Sequence, residues 1–145
     1  MKNKGVLLLV SSLLIMSYHA CAQPLDEQRA QFNYQVFCRG CHLPDASGVA
    51  GRVPRIKDYI GNFLKVEGGR EFLVRVPGAA NAALDDKQLA ELLNWMIVKF
   101  AGTSLPDKYQ PYTAVEVGKL RRRPLNDVTT LRAELVKEID KGSVH

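Results

Sequence analysis

Two thiols and an imidazole within five consecutive residues, Cys38-Arg39-Gly40-Cys41-His42, constrain this chain more than any other stretch. A Cys-x-x-Cys pair followed at once by histidine is the attachment signature of a c-type haem. Each thiol adds to one vinyl group of the porphyrin, so the two sulfurs must stand one short turn apart. The residue after the second cysteine then lies beneath the iron, where an imidazole nitrogen binds it axially. The signature therefore predicts one covalent haem c per chain, anchored by Cys38 and Cys41, with His42 as metal ligand. Zinc is disfavoured by counting. A structural zinc takes four ligands from ordered positions, and past residue 22 the thiol and imidazole donors are Cys38, Cys41, His42 and the terminal His145. A redox dithiol calls for a βαβ pattern around the pair, and none surrounds it.

Residues 1–22 read as a signal peptide. Lys2 and Lys4 make a positive start, Val6 to Met16 is apolar apart from two serines, and Ala20-Cys21-Ala22 suits a small-residue cleavage site, so the mature chain is expected to begin at Gln23. The apolar run is short of the ~20 residues a bilayer span needs, and no other stretch competes, so no membrane span is expected in the mature form. Cys21 leaves lipid anchoring as an alternative, although Tyr18-His19 ahead of Ala20 makes a poor lipidation sequence. The remaining 123 residues suit one domain. Losing Lys2 and Lys4 lowers the formal net charge from +5 to +3, and two haem propionates would bring it nearer neutral. This composition does not suit a nucleic-acid partner.

The mature sequence is punctuated as helices. Residues 25–41 are expected to form an amphipathic helix running into the haem motif, with Ala30 and Tyr34 four apart on one face and Phe37 next along it. Leu43 to Ile56, rich in glycine and proline, reads as a loop. Gly69 to Val76 reads as a short helix stopped by Pro77-Gly78. Asp85 with Gln88 makes a capping box. Leu89, Leu92, Leu93, Met96, Ile97 and Phe100 then recur at three and four, ending at Gly102.

Over about residues 26–102 this pattern resembles the class I cytochrome c family: Tyr34 four places before the first haem cysteine, Ala30 where the family more often has glycine, the Pro54-Arg55-Ile56 loop, and Trp95 on the last helix. The resemblance implies an all-α cytochrome c fold for residues 23–102; beyond the family's usual boundary, residues 103–145 read from their own punctuation as a C-terminal helical extension. It further implies that the Pro54 carbonyl accepts the Nδ1–H of His42, a bond that fixes the tautomer and orientation of an axial imidazole. Ile56 is expected to touch the haem, and Trp95 to pack on the small-residue face of the first helix. Arg52 and Arg55 either face the propionates or are simply solvated. Because c-type haem is attached outside the bacterial inner membrane, the resemblance also implies a periplasmic protein.

The distal side departs from the family. There the sixth ligand is usually a methionine on the loop before the last helix, and the corresponding Pro77-Gly78-Ala79-Ala80-Asn81-Ala82-Ala83-Leu84 contains none. Met96, in the middle of a helix, reads first as core filler, and His145 ends a polar tail. The sixth position is thus open to Met96, His145, a lysine, Asn81, water or nothing. Without methionine the reduction potential is expected to be lower than in His/Met relatives.

Beyond Gly102, Thr113 with Glu116 caps a short helix closed by Arg121-Arg122-Arg123-Pro124. Asn126 or Asp127 caps another through about Ile139, with Val128, Leu131, Leu135 and Val136 along one side. These helices read as a wrap around the haem domain, and the three arginines as a solvated turn or as a docking patch for an acidic partner. The functional expectation is a periplasmic one-electron transfer protein, not an enzyme, working between a redox donor and an acceptor. The alternative is a small-ligand (CO or NO) binding or sensing protein with an open sixth iron position. No acid–base pair, nucleophile motif or phosphate loop is visible.

Overall fold

The computed structural model describes residues 27–142, so the expected signal, its cleavage site and His145 lie outside the described residues. The described chain is all-α, with an isolated bridge between Val49 and Val53 as its sheet-like pairing. Its helices are α1 (Glu27–Phe37), α2 (Arg39–His42), α3 (Gly69–Arg75), α4 (Pro77–Ala80), α5 (Asp86–Phe100), α6 (Ala114–Arg121) and α7 (Val128–Gly142). Among the described residues no helix is long and apolar enough to cross a membrane.

The first expected helix is two. Cys38 leaves helical geometry with φ −123° and ψ −41°, and the amides of Cys41 and His42 both turn back onto its carbonyl, at 3.2 and 2.9 Å. The haem motif is therefore a tight turn at the end of α1 rather than the body of a long helix. Ala30 and Tyr34 are buried on α1 as the four-residue spacing implies. The Tyr34 ring lies 5.6 Å from Trp95 and 5.1 Å from Phe100 of α5, so two aromatics, not Trp95 alone, meet the α1 face. Asp85 and Gln88 close the full capping box at the start of α5.

A 3-10 segment, Ile60–Lys65, sits between the loop and α3. Its sequence, with a β-branched residue, a glycine and an asparagine, has weak helical propensity. Burial of Ile60 and Phe63 holds it, together with a 3.1 Å bond from the Gly61 amide to Ser104 Oγ.

Residues beyond Gly102 fold onto the same core. Tyr112, Val117, Leu135 and Ile139 join one hydrophobic cluster with Leu92, Phe72 and Tyr34. Asn94, buried in α5, accepts from the Tyr109 hydroxyl at 2.6 Å and the Tyr112 amide at 2.7 Å, and donates to the Tyr112 carbonyl at 3.0 Å. Thr113 caps α6 through the Glu116 amide. The Glu116 side chain turns instead to Arg70 of α3, at 2.6 and 2.8 Å, and the Arg70 guanidinium lies 4.0 Å over the Tyr112 ring. Asp127 caps α7.

The arginine run needs correction. Arg122 and Arg123 are exposed, but Arg121 is part-buried and donates to the carbonyls of Ala80, Leu84 and Ala82 at 3.0, 2.6 and 2.6 Å. It also reaches Asp86 at 3.3 Å. A solvated turn does not describe it, and neither does a free docking cation. It holds the segment between α4 and α5 in place.

Candidate functional site

The turn that ends α1 opens onto a cavity of about 380 Å³. Cys38, Cys41 and His42 line it together, and the loop contributes Pro54 and Ile56, so the five residues singled out in the sequence meet at one site. Phe63, Phe72 and Leu92 are among the residues that make the rest of its wall apolar.

The imidazole is set by its surroundings. His42 Nδ1 lies 3.2 Å from the Pro54 carbonyl. A carbonyl only accepts, so Nδ1 carries the proton and Nε2 keeps its lone pair. Burial pulls the His42 pKa below its usual value, opposed by the bond to Pro54, which favours the neutral ring that binds metals. Pro54 is in turn positioned by Gly48, whose φ is +68° and where a Cβ would stand 2.5 Å from the Val53 oxygen and 2.7 Å from the Pro54 oxygen. Leu43, at φ 69°, is held by the Tyr34 hydroxyl, which donates to its carbonyl at 2.6 Å.

The thiols are unpaired. Burial, then the nearby Cys41, pushes the Cys38 thiol up to about 11. Dithiol redox centres need the opposite shift, because the thiolate is the reacting form. Among the described residues no group of three or more His, Cys, Asp or Glu side chains is gathered to hold a metal ion, which leaves a four-ligand zinc site without its donors there.

Pro77, Gly78, Ala79 and Ala82 also line the cavity, all too small to reach far into it. Asn81 is exposed and does not line the cavity, nor does any lysine among the described residues. The side chains with donor or charged atoms that do line it, beyond the haem motif, are Met96, Arg55 and Arg132. Met96 is only 6% exposed. Arg55 is exposed with its guanidinium 5.8 Å over Tyr59, and Arg52 stands outside the lining. Arg132 and Val128, on α7, bring the extension into the cavity wall. Reasoning from sequence missed Arg132, and its signal was faint: an arginine one turn after Val128 on an amphipathic helix.

No protein-family model matches the chain. Among curated proteins it is similar to cytochrome c-552 of Thermus thermophilus, 29% identical over 106 residues that cover 61% of this chain and 81% of the relative. A second cytochrome c-552, from a particular strain of Thermus thermophilus, matches at the same 29% identity, with 72% of its length covered. These matches support a class I-like cytochrome c family for the chain. This cytochrome takes covalent haem c with its iron, and electron transfer is the work of its class. The site fits such a group: two thiols, a neutral imidazole with a free Nε2 and an apolar wall surround one cavity.

Proposed function

We propose that this cytochrome is an exported monohaem carrier, passing single electrons between a protein donor and a protein acceptor in the periplasm. The 1–22 segment would direct export, Gln23 would start the mature chain, and residues 23–102 with their 103–145 extension would form the working protein. The observation that carries the reading is the meeting of Cys38, Cys41 and His42 on one cavity wall, with His42 Nδ1 committed to Pro54.

Cys38 and Cys41 would hold the porphyrin by thioether bonds and His42 Nε2 would ligate the iron. When bound there, the haem supplies reversible one-electron chemistry. The protein's share is burial and orientation. Pro54 fixes the ring plane of His42 and raises its basicity as a ligand. Ile56, Leu92 and their apolar neighbours keep water from the iron, and a dry site tunes potential. Cys41 is exposed, so the edge beside it gives a partner access. No residue is assigned a catalytic role.

A second reading has its own support. The wall of Gly78, Ala79 and Ala82 offers no side-chain donor to the sixth position, which suits a small-ligand binder for CO or NO. The absorption spectrum of the purified holoprotein, oxidised and reduced, with and without CO, tests both. A carrier gives low-spin bands that CO leaves unchanged; high-spin ferric bands and a CO shift would replace it with the ligand binder. A protein that emerges colourless from a strain able to assemble c-type cytochromes would end both.

A further inference from the structure

A haem in this cavity brings two propionate carboxylates into an apolar surround, and an ionised carboxylate leaves water at a high cost unless it is paired. The cavity lining contains two cations, Arg55 from the loop and Arg132 from α7. Arg55 lies on the exposed loop and is turned toward Tyr59. Arg132 is half-buried and forms no hydrogen bond or ion pair among the described residues. The extension's other inward-turned arginine is fully engaged, Arg121 by three carbonyls and Asp86. A half-buried guanidinium left without a partner among the described residues, beside an apolar cavity, is costly in isolation. An anion arriving in the cavity would relieve it.

The placement is not incidental. The Leu125 amide bonds the Arg75 carbonyl at 2.9 Å and Arg75 Nε bonds the Arg123 carbonyl at 2.7 Å, tying the approach to α7 to the end of α3. Asp127 caps the helix start. Leu135 and Ile139 are buried in the common core. Val128 and Arg132, four apart, thus present the same face to the cavity.

We propose that Arg132, supplied by the C-terminal extension, is a cation that pairs with a haem propionate and holds the reduction potential up. The proposal rests on the haem occupying this cavity. A guanidinium near the propionate offsets a negative charge that otherwise favours ferric over ferrous iron, so its loss lowers the potential. A fork of parallel N–H donors suits a carboxylate better than an ammonium does.

The test is a redox titration of the full-length holoproteins R132Q, R132K and R122Q, the last removing an exposed arginine of the same extension. R132Q is expected to hold covalent haem with unchanged ligand-field bands and to bind its electron on the order of tenfold less tightly, a fall of about 59 mV. R132K should recover part of that fall, and R122Q should move far less. An R132Q potential equal to that of R122Q overturns the proposal, as does a changed ligand-field spectrum, which would place Arg132 at the iron instead. The wild-type protein supplies a readout independent of variant folding: in the reduced, CO-saturated or otherwise diamagnetic form, nuclear Overhauser contacts should join a propionate methylene to the Arg132 side chain, and their absence overturns the pairing. Colourless wild-type protein would instead refute the haem reading itself.

Discussion

Arg121 Nη2 donates to the carbonyl of Ala82 at 2.6 Å, so a helix beyond the resemblance to class I cytochromes c holds the segment where those proteins usually carry a distal ligand. With the bonds to Ala80 and Leu84, one side chain satisfies three backbone acceptors between α4 and α5. Hydrogen bonds to a charged group contribute about 1.5–3 kcal/mol each, and such terms are not additive. Arg121→Ala is expected to cost about 2–4 kcal/mol in chemical denaturation of the holoprotein. Arg122→Ala, on the exposed neighbour, should stay within about 0.5 kcal/mol. Equal losses in the two variants would show that the Arg121 bonds contribute nothing particular.

Gly48 guards the acceptor of His42. Alanine there meets the Val53 and Pro54 oxygens and must hold φ near +68°. The backbone strain alone is about 1–2 kcal/mol, and the Pro54 carbonyl must shift away from His42 Nδ1. A ligating imidazole that loses this bond becomes a weaker donor to ferric iron, so Gly48→Ala is expected to raise the reduction potential as well as lower stability. A destabilised variant with an unmoved potential would separate the loop from the iron.

Glu116 carries a pH signature. Its bidentate bond from Arg70 holds its carboxyl below the usual value near 4.5. The sign follows: a carboxyl depressed in the folded state stabilises above its unfolded pKa and loses that contribution as pH falls through the folded one. Denaturation of wild type and Glu116→Gln should differ by about 1 kcal/mol at neutral pH. That difference should shrink progressively below pH 4.5. A gap that persists unchanged to low pH would assign the effect to packing instead.

Met96 separates the two readings of the sixth position. If it only fills volume between α5 and the cavity, Met96→Leu leaves the Soret band and the potential unchanged and costs under about 1.5 kcal/mol. A fall in potential with a change to high-spin bands would make it the iron ligand.

What could be read from the chain follows the range of the interactions involved. The haem motif is legible because its chemistry is local, two thiols and an imidazole in five residues. The Asp85–Gln88 box that opens α5 is legible for the same reason, since a cap is a bond over three residues. His42 to Pro54 came through the family resemblance, and the 3.2 Å contact is where that resemblance placed it. The 3-10 segment Ile60–Lys65 was not visible, because burial against the core, not propensity, makes it. Arg121 read as solvent-facing because its partners are carbonyls 37 to 41 residues away, and a carbonyl leaves no mark in a sequence. Asn94 carried an unused hint: a polar residue in an apolar helical stripe is there to bond something, here Tyr109 and Tyr112.

The two thiols of the motif differ in access. Cys41 is exposed, whereas Cys38 packs against the cluster that joins α1 to α5. On the proposed attachment, Cys41 is the more accessible thiol, while Cys38, half-buried on the cavity wall beside the α1–α5 cluster, is less open to assembly enzymes once those helices have docked. Attachment at Cys38 is then favoured before these helices dock, and a chain that folds first should load its cofactor more slowly.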